Sequence, residues 1–289
     1  MNAHPRFSLN QATIKHASLA EAIAVTQGAG IQSIGVWREP VADIGLDVAT
    51  RLIADSGLRV SSMCRGGFFT ALEGPERRAA LDDNRRAIEE TAALAAAGAV
   101  GSAAVLVLVA GGLPHGSRDL AGARERVRDA LGALEPFAAS AGVTLAVEPL
   151  HPMFAADRAV VSTLGQAVDL AVEAGPSVGV VVDTYHVWWD PEVIAQIERA
   201  GRLGRIASYQ VCDWLTPLPA DVLLGRGIPG DGHIDFTPLT RAVDDAGYVG
   251  DIECEIFNAE IWSRPFTEVA ADVSSAFSRV VAAQLDPVG

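Results

Sequence analysis

The sequence predicts an α/β fold, a single (β/α)8 TIM barrel occupying residues 1–289 as one domain, and three observations carry that expectation. Short β-branched or apolar runs alternate about eight times with longer amphipathic stretches between Phe7 and Leu285. No Gly/Ser-rich or Pro-rich linker interrupts the alternation. The rival, an open doubly wound sheet, normally places a glycine-rich phosphate turn after its first strand, and none stands there.

The expected strands are Phe7 to Ile14, Ser33 to Trp37, Arg59 to Cys64, Ala103 to Val109, Thr144 to Glu148, Val178 to Asp183, Ile206 to Cys212 and Asp251 to Ile256. Helix starts are marked by Ser18 with Glu21 and by Thr163 with Gln166, each spaced as a capping box. Asp190 before Pro191 and Thr237 before Pro238 mark two more, because proline loses nothing at the first helical position. Glycines at 30, 57, 98, 142 and 175 mark helix ends.

Composition narrows the function. Lys plus Arg total 22 against 36 Asp plus Glu, a net charge of -14 that repels phosphate backbones and argues against a nucleic-acid partner. The strongest apolar run, Ala103 to Ala110, is far too short to span a bilayer, and the N-terminus lacks a signal pattern, so no membrane association and a cytoplasmic location are expected. Cys64, Cys212 and Cys254 are widely spaced and odd in number, which implies free thiols serving as small buried fillers.

In a parallel barrel the polar residues at the carboxyl ends of the strands converge on one mouth. Glu148 ends "TLAVE", Asp183 ends "VGVVVD" and Glu255 closes "DIECE", so three carboxylates point at a shared centre. Their mutual repulsion is most simply relieved by a divalent cation. Gln210 in "SYQVCDW" holds the corresponding place on strand seven, where its carbonyl oxygen would complete a metal set of Glu148, Asp183, Gln210 and Glu255. Such an oxygen shell favours Mn2+, with Mg2+ or Co2+ as alternatives, over Zn2+. Trp37, Arg38, Glu39, Arg65, His151, Trp188 and Trp214 are further rim candidates, of which Trp37, Arg65, His151 and Trp188 are assigned to substrate binding. His16, His115 and His233 carry less, and His233 is expected to be exposed.

The segments "VEPLHP", "VDTYHVWWDP", "QVCDW", "GRGIPGDGHIDF" and "YVGDIECEIF", in this order, resemble the xylose isomerase-like superfamily. More narrowly they resemble its sugar phosphate isomerase/epimerase group, with the ketose 3-epimerases and inosose dehydratase. The resemblance implies a metal shell of Glu, Asp, His and Glu from strands five to eight, which maps onto Glu148, Asp183, Gln210 and Glu255, with Gln210 replacing the usual histidine. It further implies that His186 orients a substrate oxygen and shuttles a proton, that Arg226 contacts substrate oxygens, and that Glu148 and Glu255 act as the acid/base pair on opposite sides of the substrate.

The activity so implied is a divalent-metal-dependent sugar or cyclitol isomerase or epimerase working through a metal-stabilised enediolate. One alternative is a metal-dependent dehydratase or lyase acting on keto-sugars, inososes or 3-keto-glycosides by β-elimination; another is a noncatalytic sugar-binding barrel. DNA repair, known elsewhere in the superfamily, conflicts with six histidines and an acidic chain. With no P-loop or lysine cluster, a small neutral polyhydroxylated substrate is expected, and a homo-oligomer is an allowed assembly.

Overall fold

The structure, a computed structural model, describes residues 3–285. Eight parallel strands close into a barrel: β1 (Phe7–Asn10), β2 (Ser33–Trp37), β3 (Arg59–Gly67), β4 (Val105–Val109), β5 (Thr144–Glu148), β6 (Val178–Asp183), β7 (Ile206–Val211) and, after the short antiparallel ribbon β8 (Asp213–Trp214) and β9 (Arg226–Gly227), β10 (Ile252–Cys254). The β10 strand pairs with both β7 and β1, which completes the ring. Among the described residues no helix is long and apolar enough to cross a membrane.

Alternation along each strand sorts side chains into two environments. Leu106, Leu108, Leu145, Val147, Val180, Val182, Tyr209 and Val211 join the large core shared with the helices. Val105, Val107, Ala146 and Val181 form a separate small cluster with Cys64 inside the ring. The same alternation turns Glu148, Asp183, Gln210, Glu253 and Glu255 inward, and all five are buried. Glu148 and Asp183 are the last residues of their strands, and Glu255 directly follows β10.

The expected strands recur with shifted ends. The first stops at Asn10, whose side chain accepts from the Ala12 N–H and turns Gln11–Ile14 into a 3-10 helix. The third runs on to Gly67 through a register shift between Cys64 and Gly66 that leaves Arg65 outside the ladder. Ser18 and Glu21 make the full capping box, whereas Gln166 accepts from Ser162 rather than from the Thr163 N–H. The helix expected to begin at Pro238 begins at Phe236, because Asp235, not Thr237, is the capping residue. Likewise Asp190 caps a turn at Glu192, and the helix starts at Val193.

Candidate metal centre and substrate cavity

The carboxyl ends of the strands enclose a cavity of about 180 Å3, bounded by Trp37, Arg65, Glu148, His186, Arg226 and Glu255 among others. One ligand atom each from Glu148, Asp183 and His186 lie within 4.8 Å of one another, all three residues being buried. Burial, the charges of Asp183 and Glu255, and a hydrogen bond toward Asp183 push the Glu148 carboxyl well above the usual range. Burial also raises Asp183, but the Arg226 guanidinium opposes it and keeps Asp183 the more ionised of the two.

Arg226 is the buried counter-charge. Its Nη1 lies 3.1 Å from Asp183 Oδ2 and 2.8 Å from Glu255 Oε2, and its Nη2 lies 2.9 Å from His186 Nε2. Its Cζ sits 4.9 Å from the Tyr185 ring and 4.8 Å from that of Phe257. The loop that delivers it is fixed from below by Asp213, whose carboxylate accepts from the backbone N–H groups of Trp214, Gly230, Gly232 and Ile234. Burial drives Glu255 up to about 7 against the pull of Arg226, and the Cys64 thiol donates to its Oε1 at 3.8 Å.

His186 receives two donors. The His151 backbone N–H points at its Nδ1 at 3.2 Å while Arg226, which can only donate, faces its Nε2. A neutral imidazole has one accepting nitrogen, so both cannot be met, and a ligand that takes either place relieves the conflict. Burial and the Arg226 charge hold the ring well below its ordinary value, hence neutral.

A chain of hydrogen bonds settles which way Gln210 faces. Trp37 Nε1 and the Ala12 N–H, both obligate donors, bond Asn10 Oδ1, so Asn10 Nδ2 must be the end that bonds Glu253 Oε2 at 2.7 Å. The same Glu253 oxygen faces Gln210 Nε2 at 3.4 Å. The Gln210 carbonyl oxygen is left buried without a partner, as is Glu148 Oε1. Register places Gln210 beside Asp183 on one flank and Glu253 on the other.

These features fit a divalent cation. Glu148, Asp183 and Glu255 bring three carboxylates against one buried guanidinium, Glu148 Oε1 and Gln210 Oε1 lack any donor, and a neutral imidazole stands within reach.

Of the rim residues named from the sequence, Trp37 and Arg65 line the cavity. His151 packs between Trp189 and Trp214 and serves through its backbone N–H. Trp188 packs at a tilt against Trp214 and does not line the cavity. Arg38 is taken up by Asp83 and Glu90, and His233 is exposed and bonded to Thr216. All three cysteines are free and buried. Asn10, Asp213 and Glu253 were not singled out from the sequence; a carboxylate or amide within a strand-end motif was their only signal.

Comparison with known proteins agrees with this architecture. The family described as "Xylose isomerase-like TIM barrel" matches residues 23–277. The crystal structure of protein SMc04130 from Sinorhizobium meliloti 1021 is 46% identical over 95% of this chain and 98% of its own, with a TM-score of 0.90. The IOLI protein with a bound zinc atom shares the fold at 19% identity and a TM-score of 0.80, covering 97% of this chain and 99% of its own. D-Psicose 3-epimerase from Clostridium cellulolyticum H10, solved with D-tagatose, does so at 16% and 0.76, covering 97% and 100%. Among curated proteins no match was found. A closed eight-stranded barrel with acids converging at its carboxyl end, matched over most of its length, makes this chain a member of the xylose isomerase-like TIM barrel family.

Proposed function

We propose that this protein is a divalent-metal-dependent isomerase or epimerase that moves a proton next to the carbonyl of a small polyhydroxylated substrate, by way of an enediolate. The observation that supports it most is the pair of unpartnered, buried oxygens on Glu148 and Gln210 beside Asp183 and His186. Glu148, Asp183, Gln210 and Glu255 would hold the ion, with His186 in reach, and an oxygen-rich set of this kind favours Mn2+. When bound, the cation supplies Lewis acidity that polarises the carbonyl and stabilises negative charge on its oxygen.

The chain's own residues supply the proton chemistry. Glu148, whose carboxyl is raised by burial and by neighbouring charge, is basic enough to take a proton from carbon near neutral pH. Glu255, raised by burial to about 7, starts protonated and gives its own proton to carbon, while Glu148 keeps the one it took. Arg226 and neutral His186 hold substrate oxygens, and the donor conflict at His186 ends when a hydroxyl replaces one of its two donors.

A second reading, β-elimination by a dehydratase or lyase, is favoured by one asymmetry. Both oxygens of Glu255 are engaged, by Arg226 and by Cys64, whereas Glu148 keeps one free. With both Glu255 oxygens held, Glu148 is the one carboxylate of the pair left to move a proton, which suits taking one from carbon and passing it to a neighbouring hydroxyl that leaves as water. Incubating the Mn2+-loaded protein with ketohexoses, inososes and 3-keto-glycosides in D2O, with mass analysis of the products, separates the two. Deuterium uptake without loss of water indicates isomerisation or epimerisation, loss of water or an aglycone indicates elimination, and no exchange with any of them would contradict both.

A further inference from the structure

Three arginines line the cavity, and one of them has no charge to answer. Arg226 is paired with Asp183 and Glu255, and Arg158 with Asp157 and Asp221. Arg65 has no carboxylate or hydrogen-bond partner among the described residues, although the chain carries 36 acidic side chains. It is nevertheless held in place. Its Cζ lies 5.4 Å from the Trp37 ring centroid and 5.3 Å from that of Phe68. A guanidinium held beside aromatic rings rather than by a carboxylate keeps its N–H groups available to a planar oxyanion, which it can meet with two parallel hydrogen bonds.

The backbone around it is built for this placement. The register shift between Cys64 and Gly66 takes Arg65 out of the strand ladder, the usual means by which a bulge re-aims a side chain beside a site. Asn84 clamps the segment that follows, accepting from Gly67 N and donating to Gly67 O. Gly67 passes so close to β4 that a Cβ there would stand 1.9 Å from the Val109 carbonyl oxygen. Phe68 then adopts a left-handed φ of 62°, costly for a bulky residue, and is 48% exposed at the rim while it flanks Arg65.

Arg65 makes no ion pair with a carboxylate among the described residues, so its charge meets the cavity without a protein counter-charge.

The geometry points to Arg65 as a carboxylate-recognition residue, so that the substrate is a small hydroxylated carbonyl acid rather than a neutral sugar. This deepens the proposed function and rests on it.

Calorimetric titration of the Mn2+-loaded protein with D-fructose, D-fructuronate and D-fructose 6-phosphate, which differ only at the terminal carbon, tests it. D-Fructuronate is expected to bind about 10- to 100-fold more tightly than D-fructose, the range of a charge-assisted pair of hydrogen bonds. Arg65→Met should bring the two affinities together, and Arg158→Met should leave the preference standing. Phe68→Ala, at an exposed position, should narrow it. Equal binding of acid and neutral sugar, no binding of D-fructuronate, tighter binding of the phosphate, or a preference that survives Arg65→Met would overturn the assignment. Proton exchange from D-fructose in D2O with no preference for the acid would defeat this assignment alone. A preference for the acid with no exchange from any ligand would defeat the proposed function instead.

Discussion

The two halves of the barrel mouth are chemically unlike. Strands β5, β6, β7 and β10, with the β9 ribbon, contribute Glu148, Asp183, Gln210, Glu255 and Arg226, a dense cluster of ionisable and amide groups with little exposure. Strands β2, β3 and β4 contribute Trp37, Cys64, Arg65, Val107 and Val109, a mainly apolar wall with one unpaired cation. Under the proposed function, the first half holds charge and moves protons and the second seats and orients what arrives. A barrel can separate these tasks because each strand delivers its end residue to the same rim whatever its neighbours carry.

Loss of function should be greatest in the charged half. Glu148→Gln keeps the shape and removes the free base, so proton exchange in D2O should fall by about 10^2- to 10^4-fold. Circular dichroism melts of the metal-free variant should show no loss of stability, since burial already favours the neutral form of the Glu148 carboxyl there.

Arg226→Met has the opposite profile. It leaves Asp183 and Glu255 without their buried counter-charge, and urea unfolding of the metal-free protein should show about 3 to 5 kcal/mol less stability. An unchanged denaturation midpoint would mean that the guanidinium is not the element holding the acids together.

The Asn10, Glu253 and Gln210 chain makes a smaller, separable contribution. Glu253→Leu removes the acceptor that holds the Gln210 amide, and Mn2+ affinity should drop about 10- to 100-fold, as for other groups that orient a metal ligand.

The mildest effect is that of pH. The Glu255 carboxyl rises from 4.5 in the unfolded chain to about 7 when folded. Below 4.5 both states hold the proton, and between 4.5 and about 7 only the folded state does. The stability of the metal-free protein should therefore fall as pH rises through that window, and Mn2+, which needs the ionised carboxylate, should bind more tightly over the same range. Thermal melts from pH 4.5 to 8, with and without Mn2+, read both trends.

The sequence made the barrel and the acids legible because strand ends converge by topology alone: placing Glu148, Asp183 and Glu255 at the ends of apolar runs suffices to put them at one mouth. It did not reveal which acid meets which neighbour. Glu253 and Glu255 both face inward, and only the register with Gln210 shows that Glu253 flanks its amide. Nor did it reveal Asp213, whose four backbone partners lie as far on as Ile234, nor the bulge at Arg65, which an alternation pattern cannot anticipate. The early end of β1 has the same origin, a side chain competing with the ladder for a backbone N–H.

Titration of the metal-free protein with Mn2+, followed by calorimetry, goes to the heart of this account. The expected result is a single ion per chain, bound by the wild type and lost in both Glu148→Gln and Asp183→Asn. Saturable binding that neither substitution disturbs, or no binding of any divalent ion by the wild type, would contradict it.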